Sequence, residues 1–211
     1  LPKAKKMNLK KISPNLQKAL IENGLTEANE MQQETFSTIK SGADAVIQSV
    51  SGSGKSTTIA INVIQRLEKA IGESTRALVI VLDKEKVLEM VEIFQKFGQY
   101  TDLRVIGCHD KGDIDYDKNV ISAGMDIIIG TPTRINAMFS SAGFNMNTIK
   151  MFVTDDAEEI FRLRHDAIVQ RLSMSVEKTQ RLFFCSQITE RVEILADKIM
   201  IEPLFFEMEE E

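Results

Sequence analysis

The feature that most constrains the fold is a continuous run: an apolar stretch, Ala45-Val46-Ile47, the loop Ser49-Val50-Ser51-Gly52-Ser53-Gly54-Lys55-Ser56, and a helical pattern at Ile59, Val63, Ile64 and Leu67. A strand that turns through two glycines straight into a helix opens a βα unit, and so directs the chain toward an α/β fold. Gly52 and Gly54 let the backbone turn its N–H groups inward, and the helix start adds its positive dipole end, so the loop reads as a phosphate cradle. In that reading residues from Ser49 through Gly54 wrap the phosphates, Lys55 reaches the terminal ones, and the Ser56 hydroxyl ligates Mg2+. Ser49 stands where the general pattern has glycine. The competing reading is an ordinary strand-to-helix turn with an exposed lysine.

The rest of the chain extends the same architecture. Ala77 to Leu82 is apolar without a break, the mark of a strand covered on both faces, and it implies a parallel sheet. Further strands are expected over 103–106, 126–129, 149–154 and 181–185, with a last edge strand over 203–206. Ser13-Pro14 opens a helix with Ser13 as N-cap, and a second runs from Asn29 to the Ser41-Gly42 stop. Helices follow over 85–97, near 135–139, around 168–176 and over 189–200. The polar stretch 110–118 reads as an exposed loop before a short helix ending near Gly124. The expected product is one three-layer α/β/α domain over 13–206, with right-handed crossovers and ligands at the carboxyl ends of the strands. A basic segment, 1–12, precedes it and an acidic tail, 207–211, follows.

Composition narrows the function. The 211 residues are 43% hydrophobic and 27% charged, the balance of a globular protein. No apolar run approaches a membrane span and the first residues lack a signal-peptide pattern, so a cytoplasmic location without a membrane partner is expected. Cys108, Cys185, His109 and His165 show no metal-ligand spacing, and the two cysteines read as buried thiols. A net charge of −5 argues against a surface broadly built for nucleic-acid phosphates but permits a local groove; no DNA specificity is evident.

A nucleotide loop needs a carboxylate to hold magnesium and a group to orient water. Asp155 and Asp156 suit both roles: they follow the apolar strand Met151-Phe152-Val153 and lie about 100 residues beyond Lys55. The alternative is an acidic cluster that simply starts the next helix.

Taken together these segments resemble the DEAD-box ATP-dependent RNA helicases, in their first RecA-like domain, over nearly the whole chain. Gly24 to Gln32 resembles the adenine-reading glutamine motif, which implies Gln32 on the adenine edge. Ser51 to Ser56 resembles the phosphate loop, Asp155-Asp156-Ala157-Glu158 stands in place of Asp-Glu-Ala-Asp, and Thr131-Pro132-Thr133-Arg134 resembles the Thr-Pro-Gly-Arg element. The resemblance implies ATP and Mg2+ as cofactors, with Lys55, Asp155 and Asp156 as the catalytic set. It further implies RNA contact through Lys84, Gly107, Thr131, Pro132 and Arg134, and a second RecA-like domain, in cis or in trans, as partner. For Arg134 a solvent-exposed position at a helix start is the alternative.

The departures point to weakened coupling. Met7, Ala28 and Asn29 replace the aromatic, proline and threonine of the glutamine motif, and Asp156 is one methylene short of the usual glutamate. Cys185-Ser186-Gln187 replaces Ser-Ala-Thr, and only Lys84 and Glu85 survive in Leu82 to Val87 of the Pro-Thr-Arg-Glu-Leu-Ala element. Two functions follow: an ATP-binding helicase core with slow or partner-dependent hydrolysis, or a helicase-like adaptor that binds RNA or protein without turnover. A phosphate-loop kinase or GTPase is disfavoured, since no guanine-reading Asn-Lys-x-Asp occurs.

Overall fold

The structure is a computed structural model and describes residues 5, 6 and 11–208. Met7 and the acidic residues 209–211 lie outside the described residues. In chain order the first half comprises β1 (Lys5–Lys6), α1 (Pro14–Glu22), β2 (Glu27–Ala28), α2 (Glu30–Lys40), β3 (Ala45–Gln48), α3 (Lys55–Leu67), β4 (Ala77–Ile80) and α4 (Lys84–Phe97). The second half comprises β5 (Val105–Cys108), α5 (Ile114–Ala123), β6 (Ile127–Gly130), α6 (Pro132–Ser140), β7 (Met151–Thr154), α7 (Ala157–Arg162), α8 (Asp166–Met174), β8 (Gln180–Cys185), α9 (Glu190–Ile199) and β9 (Leu204–Glu207). Strands β1 and β2 form a small antiparallel ladder apart from the main sheet.

The main sheet has seven strands in the order β5-β6-β4-β7-β8-β3-β9, and every pairing in it is parallel. Parallel neighbours need crossovers, and the intervening helices cover both faces. The period-two alternation of each strand sorts its side chains. Ala77, Val79, Ile127, Ile129, Met151, Val153, Leu182 and Phe184 join the layer of α1 to α4, while Leu78, Ile80, Ile128, Phe152, Phe183 and Cys185 join the layer of α5 to α9. This is the three-layer α/β/α arrangement expected from the apolar runs.

Local chemistry explains where the elements differ from expectation. Strand β5 begins at Val105 rather than 103, because the Arg104 N–H is taken by the Asp126 carboxylate at 2.9 Å. Asp126 is fully buried and also receives Arg104 Nε at 2.9 Å and Arg76 Nη2 at 3.0 Å, a knot that ties the starts of β4, β5 and β6 together. Helix α5 starts inside the stretch expected to be loop, since the Asp113 carboxylate accepts the N–H groups of Asp115 and Tyr116 and caps it. Helix α7, one and a half turns long, follows the acidic cluster directly. Ser13 occupies the N-cap position of α1, but its side chain makes no capping hydrogen bond; its N–H donates to Gln65 Oε1 at 2.9 Å. Packing extends from Ile12 to Met208, whose N–H pairs with the Gln48 carbonyl at 3.0 Å. Among the described residues no helix is long and apolar enough to cross a membrane.

Candidate functional site

The carboxyl ends of three adjacent strands, β7, β8 and β3, carry the acidic cluster, the Cys185-Ser186-Gln187 turn and the glycine loop. Residues distant in sequence therefore meet along one edge, as the crossover topology requires. Strand β3 stops at Gln48, and the Ser49 N–H continues the ladder to the Cys185 carbonyl at 3.0 Å. Ser49 is 4% exposed, so a small side chain suits the position. Gly52 and Gly54 adopt φ +78° and +88°, a region L side chains rarely occupy, and Gly54 serves as the N-cap of α3. Lys55, the first helical residue, is 8% exposed and folds back over the loop, its Nζ donating to the carbonyls of Ser49 at 2.7 Å and Val50 at 2.8 Å. The exposed-lysine reading of this turn does not hold.

The second half of the site answers the first. The Ser56 hydroxyl lies 3.4 Å from Asp155 Oδ2, and Asp155 Oδ1 accepts the Asp156 N–H at 2.9 Å. Asp156 sits at φ +47°, a left-handed position that Asp tolerates better than most residues, and this kink turns the chain from β7 into α7. Burial, reinforced by the neighbouring Asp156 charge, pushes the Asp155 carboxyl up to about 7. Asp156 is raised by burial against the opposing pull of Lys86 and Lys55. Glu158 is raised by burial too, even though its Oε1 accepts the Ser186 N–H at 3.1 Å. Burial drives the Cys185 thiol up to about 12, so it stays protonated at neutral pH.

Gln32 lies close to this loop. Asn29 and Gln32 form a reciprocal capping box at the start of α2, with Asn29 Oδ1 accepting the Gln32 N–H at 2.9 Å and Gln32 Oε1 accepting the Asn29 N–H at 3.1 Å. Asn29 Nδ2 then donates to the Ser53 carbonyl at 2.6 Å, tethering α2 to the phosphate loop. A Cβ on Gly54 would stand 3.5 Å from Gln32 Nε2, which places the glutamine amide directly against the cradle. Two residues that sequence reasoning treated as departures thus have defined work: Asn29 braces the loop, and Glu158 ties α7 to the turn after β8. Lys86, on the first turns of α4, was assigned no role, yet its charge bears on Asp155 and Asp156.

The residues matched to RNA contact lie on the other half of the sheet, Gly107 within β5 and the rest after β4 and β6. Lys84 is half-buried at the start of α4. Gly107 lies beneath that helix, where a Cβ would come within 2.8 Å of both Val87 and Val91, so close packing requires glycine there. Thr131 caps α6 and Pro132 is its first residue. Arg134 is buried rather than exposed, its Nη2 donating to the Gly112 carbonyl at 3.1 Å.

The site fits a magnesium nucleotide on its own observations. Ser53 Oγ is buried without a hydrogen-bond partner among the described residues, and an unpaired polar group within the loop calls for a ligand. Among the described residues no cluster of three acidic, histidine or cysteine side chains could hold a metal alone. One hydroxyl and one carboxylate match a magnesium ion that keeps water and phosphate in the rest of its shell.

Comparison with known proteins bears on the family. The DEAD/DEAH box helicase pattern matches residues 29–193. The chain is 28% identical over 182 residues to the ATP-dependent RNA helicase eIF4A of Eremothecium gossypii, covering 86% of this chain and 46% of that protein. It is 26% identical over 199 residues to the eIF4A of Meyerozyma guilliermondii, covering 94% and 49%. Among solved structures it superposes on the yeast DEAD-box splicing factor Prp28 with a TM-score of 0.86 at 18% identity, covering 98% of this chain and 53% of the other. A DEAD box protein from the hyperthermophile Methanococcus jannaschii gives 0.85 at 20% identity, covering 96% and 55%. The chain spans about half the length of these relatives and aligns with one RecA-like domain. It belongs to the DEAD/DEAH box helicase family.

Proposed function

We propose that the chain is the ATP-binding first core domain of an RNA helicase of this family, binding Mg2+-ATP in the loop Ser49 to Ser56 and hydrolysing it slowly without a second RecA-like domain. The observation that carries the reading is the convergence of Ser56 and Asp155, 99 residues apart, at 3.4 Å beside a buried Lys55. When bound, Mg2+ supplies positive charge to the terminal phosphates. Lys55 would exchange the Ser49 and Val50 carbonyls for those phosphates, the loop N–H groups would orient them, and Gln32 would offer its amide to the adenine edge. Ser56 and Asp155 would hold the metal, and Asp156 would orient water from one methylene further back than a glutamate. Since a misplacement of ~1 Å can cost on the order of 10²-fold, binding outlasts turnover. RNA would lie across the Lys84, Gly107 and Thr131 to Arg134 half, completed by the partner domain, and a cytoplasmic location accords with this work.

The test is calorimetric titration of the chain with Mg2+-ADP and Mg2+-ATP, with Lys55→Ala beside it. Binding by the wild type and its loss in the variant are expected. No binding by the wild type at about millimolar nucleotide, a free energy near −4 kcal/mol, overturns the proposal. The adaptor reading draws on Asp156 and on the Cys185-Ser186-Gln187 turn. RNA-stimulated ATP turnover that disappears in Asp155→Asn decides against it.

A further inference from the structure

The turn from β6 into α6 gathers groups that seek an anion. Thr131 caps the helix, accepting the Arg134 N–H at 3.4 Å, Thr133 adds a second hydroxyl in the first turn, and the helix dipole and the Arg134 guanidinium add positive potential. An anion already occupies the place, and it is part of the chain. Thr131 Oγ1 donates to Asp110 Oδ2 at 2.8 Å, and Thr133 Oγ1 donates to Asp110 Oδ1 at 2.6 Å. Both carboxylate oxygens are engaged, and both hydroxyls are spent. Arg134 is committed as well: it is 8% exposed, its Nη2 donates to the Gly112 carbonyl, and its charge is answered by Asp110 and Asp117. Burial alone would raise the Asp110 carboxyl, but the bonds from Thr133 and Thr131 and the charge of Arg134 outweigh it and hold the group below the usual carboxylate range. Asp110 is therefore anionic at neutral pH.

Two residues build this contact. Thr133 stands where the related element has glycine, and its added hydroxyl is the one that grips Oδ1. Asp110, at the exposed end of β5, supplies the carboxylate. A phosphate of an RNA strand approaching the turn meets a negative charge where it would bind, and donors that are already satisfied.

We propose that Asp110 is a specificity-determining residue, an internal stand-in for phosphate that closes the Thr131 to Arg134 turn to an RNA backbone. The inference rests on the reading of this half of the sheet as RNA-facing. It predicts that weak RNA binding by this chain is built in at Asp110, and that removing the carboxylate opens the turn rather than damaging it.

The experiment measures fluorescence anisotropy of a labelled short oligouridylate titrated with the wild type, Asp110→Ala, Asp110→Asn and a charge-matched control, Asp115→Asn, over a series of salt concentrations. Asp115 is exposed on the first turn of α5 and changes the net charge equally. Freeing two hydroxyls beside the Arg134 charge for one phosphate contact is expected to tighten binding by about tenfold in both Asp110 variants. The dependence of log affinity on log salt should steepen by about 0.7, the increment for one more phosphate on a single strand. Asp115→Asn should leave that slope unchanged. Equal affinity and slope in the wild type and both Asp110 variants, or the same gain in Asp115→Asn, overturns the proposal, as does the absence of RNA binding in every protein. Calorimetry with Mg2+-ADP on the same samples keeps the two readings apart: loss of nucleotide binding by the wild type sinks the assigned function, whereas the Asp110 comparison is decided by RNA alone.

Discussion

Burial of the Asp155 carboxyl costs the fold stability once the pH is high enough to ionise it, and Asp155→Asn should expose that cost as a pH-dependent gain in stability. The carboxyl is 3% exposed and titrates at about 7 instead of 3.8, because burial and then Asp156 penalise its charge. Below pH 4 neither the folded nor the unfolded chain ionises here, and wild type and variant differ by a constant. Between about 4 and about 7 the unfolded chain releases the proton while the folded one keeps it, so wild-type stability falls as pH rises; above about 7 the loss is complete. At about 1.36 kcal/mol per pH unit the full gap is about 4 kcal/mol, and the part accrued between pH 5 and pH 8 is about 2.7 kcal/mol. Asparagine retains an oxygen to accept the Asp156 N–H and an amide to face Ser56, so little else changes.

Urea unfolding at pH 5 and pH 8, followed by circular dichroism, reads this out directly. The stability advantage of Asp155→Asn over wild type should grow by about 2 to 3 kcal/mol between the two conditions, equivalent to about 5 to 10 °C in midpoint for a chain of this size. An advantage constant to within about 0.5 kcal/mol would mean that Asp155 titrates like an exposed carboxylate, and the electrostatic account of the site fails. Mg2+-nucleotide at 100 times its Kd should narrow the gap at pH 8 by about 2.7 kcal/mol, because that is what such a ligand adds to the protein that binds it.

Two other substitutions test separate parts of the argument. Asp156→Glu extends the carboxylate by one methylene toward the water; single-turnover phosphate release should rise by about ten- to a hundredfold, while the left-handed backbone at 156 costs about 1 kcal/mol of stability in urea, and a variant no faster than wild type would show that reach is not what limits turnover. Gly107→Ala places a methyl 2.8 Å from Val87 and Val91 and should cost about 1 to 3 kcal/mol in the same unfolding assay, whereas a neutral result would remove packing as the reason for glycine there.

The fold was largely legible because its signals are local. A buried parallel strand announces itself by an unbroken apolar run, and the central strands β4, β6, β7 and β8 were located within two residues of their ends. The glycine loop was legible for the same reason: conformation at Gly52 and Gly54 and a charge at Lys55 are properties of neighbours in sequence. What escaped were pairings made across the fold. Nothing near residue 29 says that an asparagine replacing threonine will reach the Ser53 carbonyl, and nothing near 134 says that an arginine at a helix start will be turned inward by Gly112 and two aspartates. The same distinction explains why departures from a motif mislead when counted singly. Asp156 and Glu158 each look like a loss, yet Glu158 accepts the Ser186 N–H and so ties α7 to the turn after β8. Thr133 and Asp110 each look neutral, yet together they fill an anion position. The sequence changes in this chain therefore act in pairs across strand ends, Asn29 with Ser53 and Glu158 with Ser186 on one half of the sheet, Thr133 with Asp110 on the other. A double-mutant cycle on Asp110 and Thr133 is the form of experiment suited to such a pair, since neighbours sharing hydrogen bonds depart from additivity by about 0.5 to 3 kcal/mol and unrelated surface residues do not.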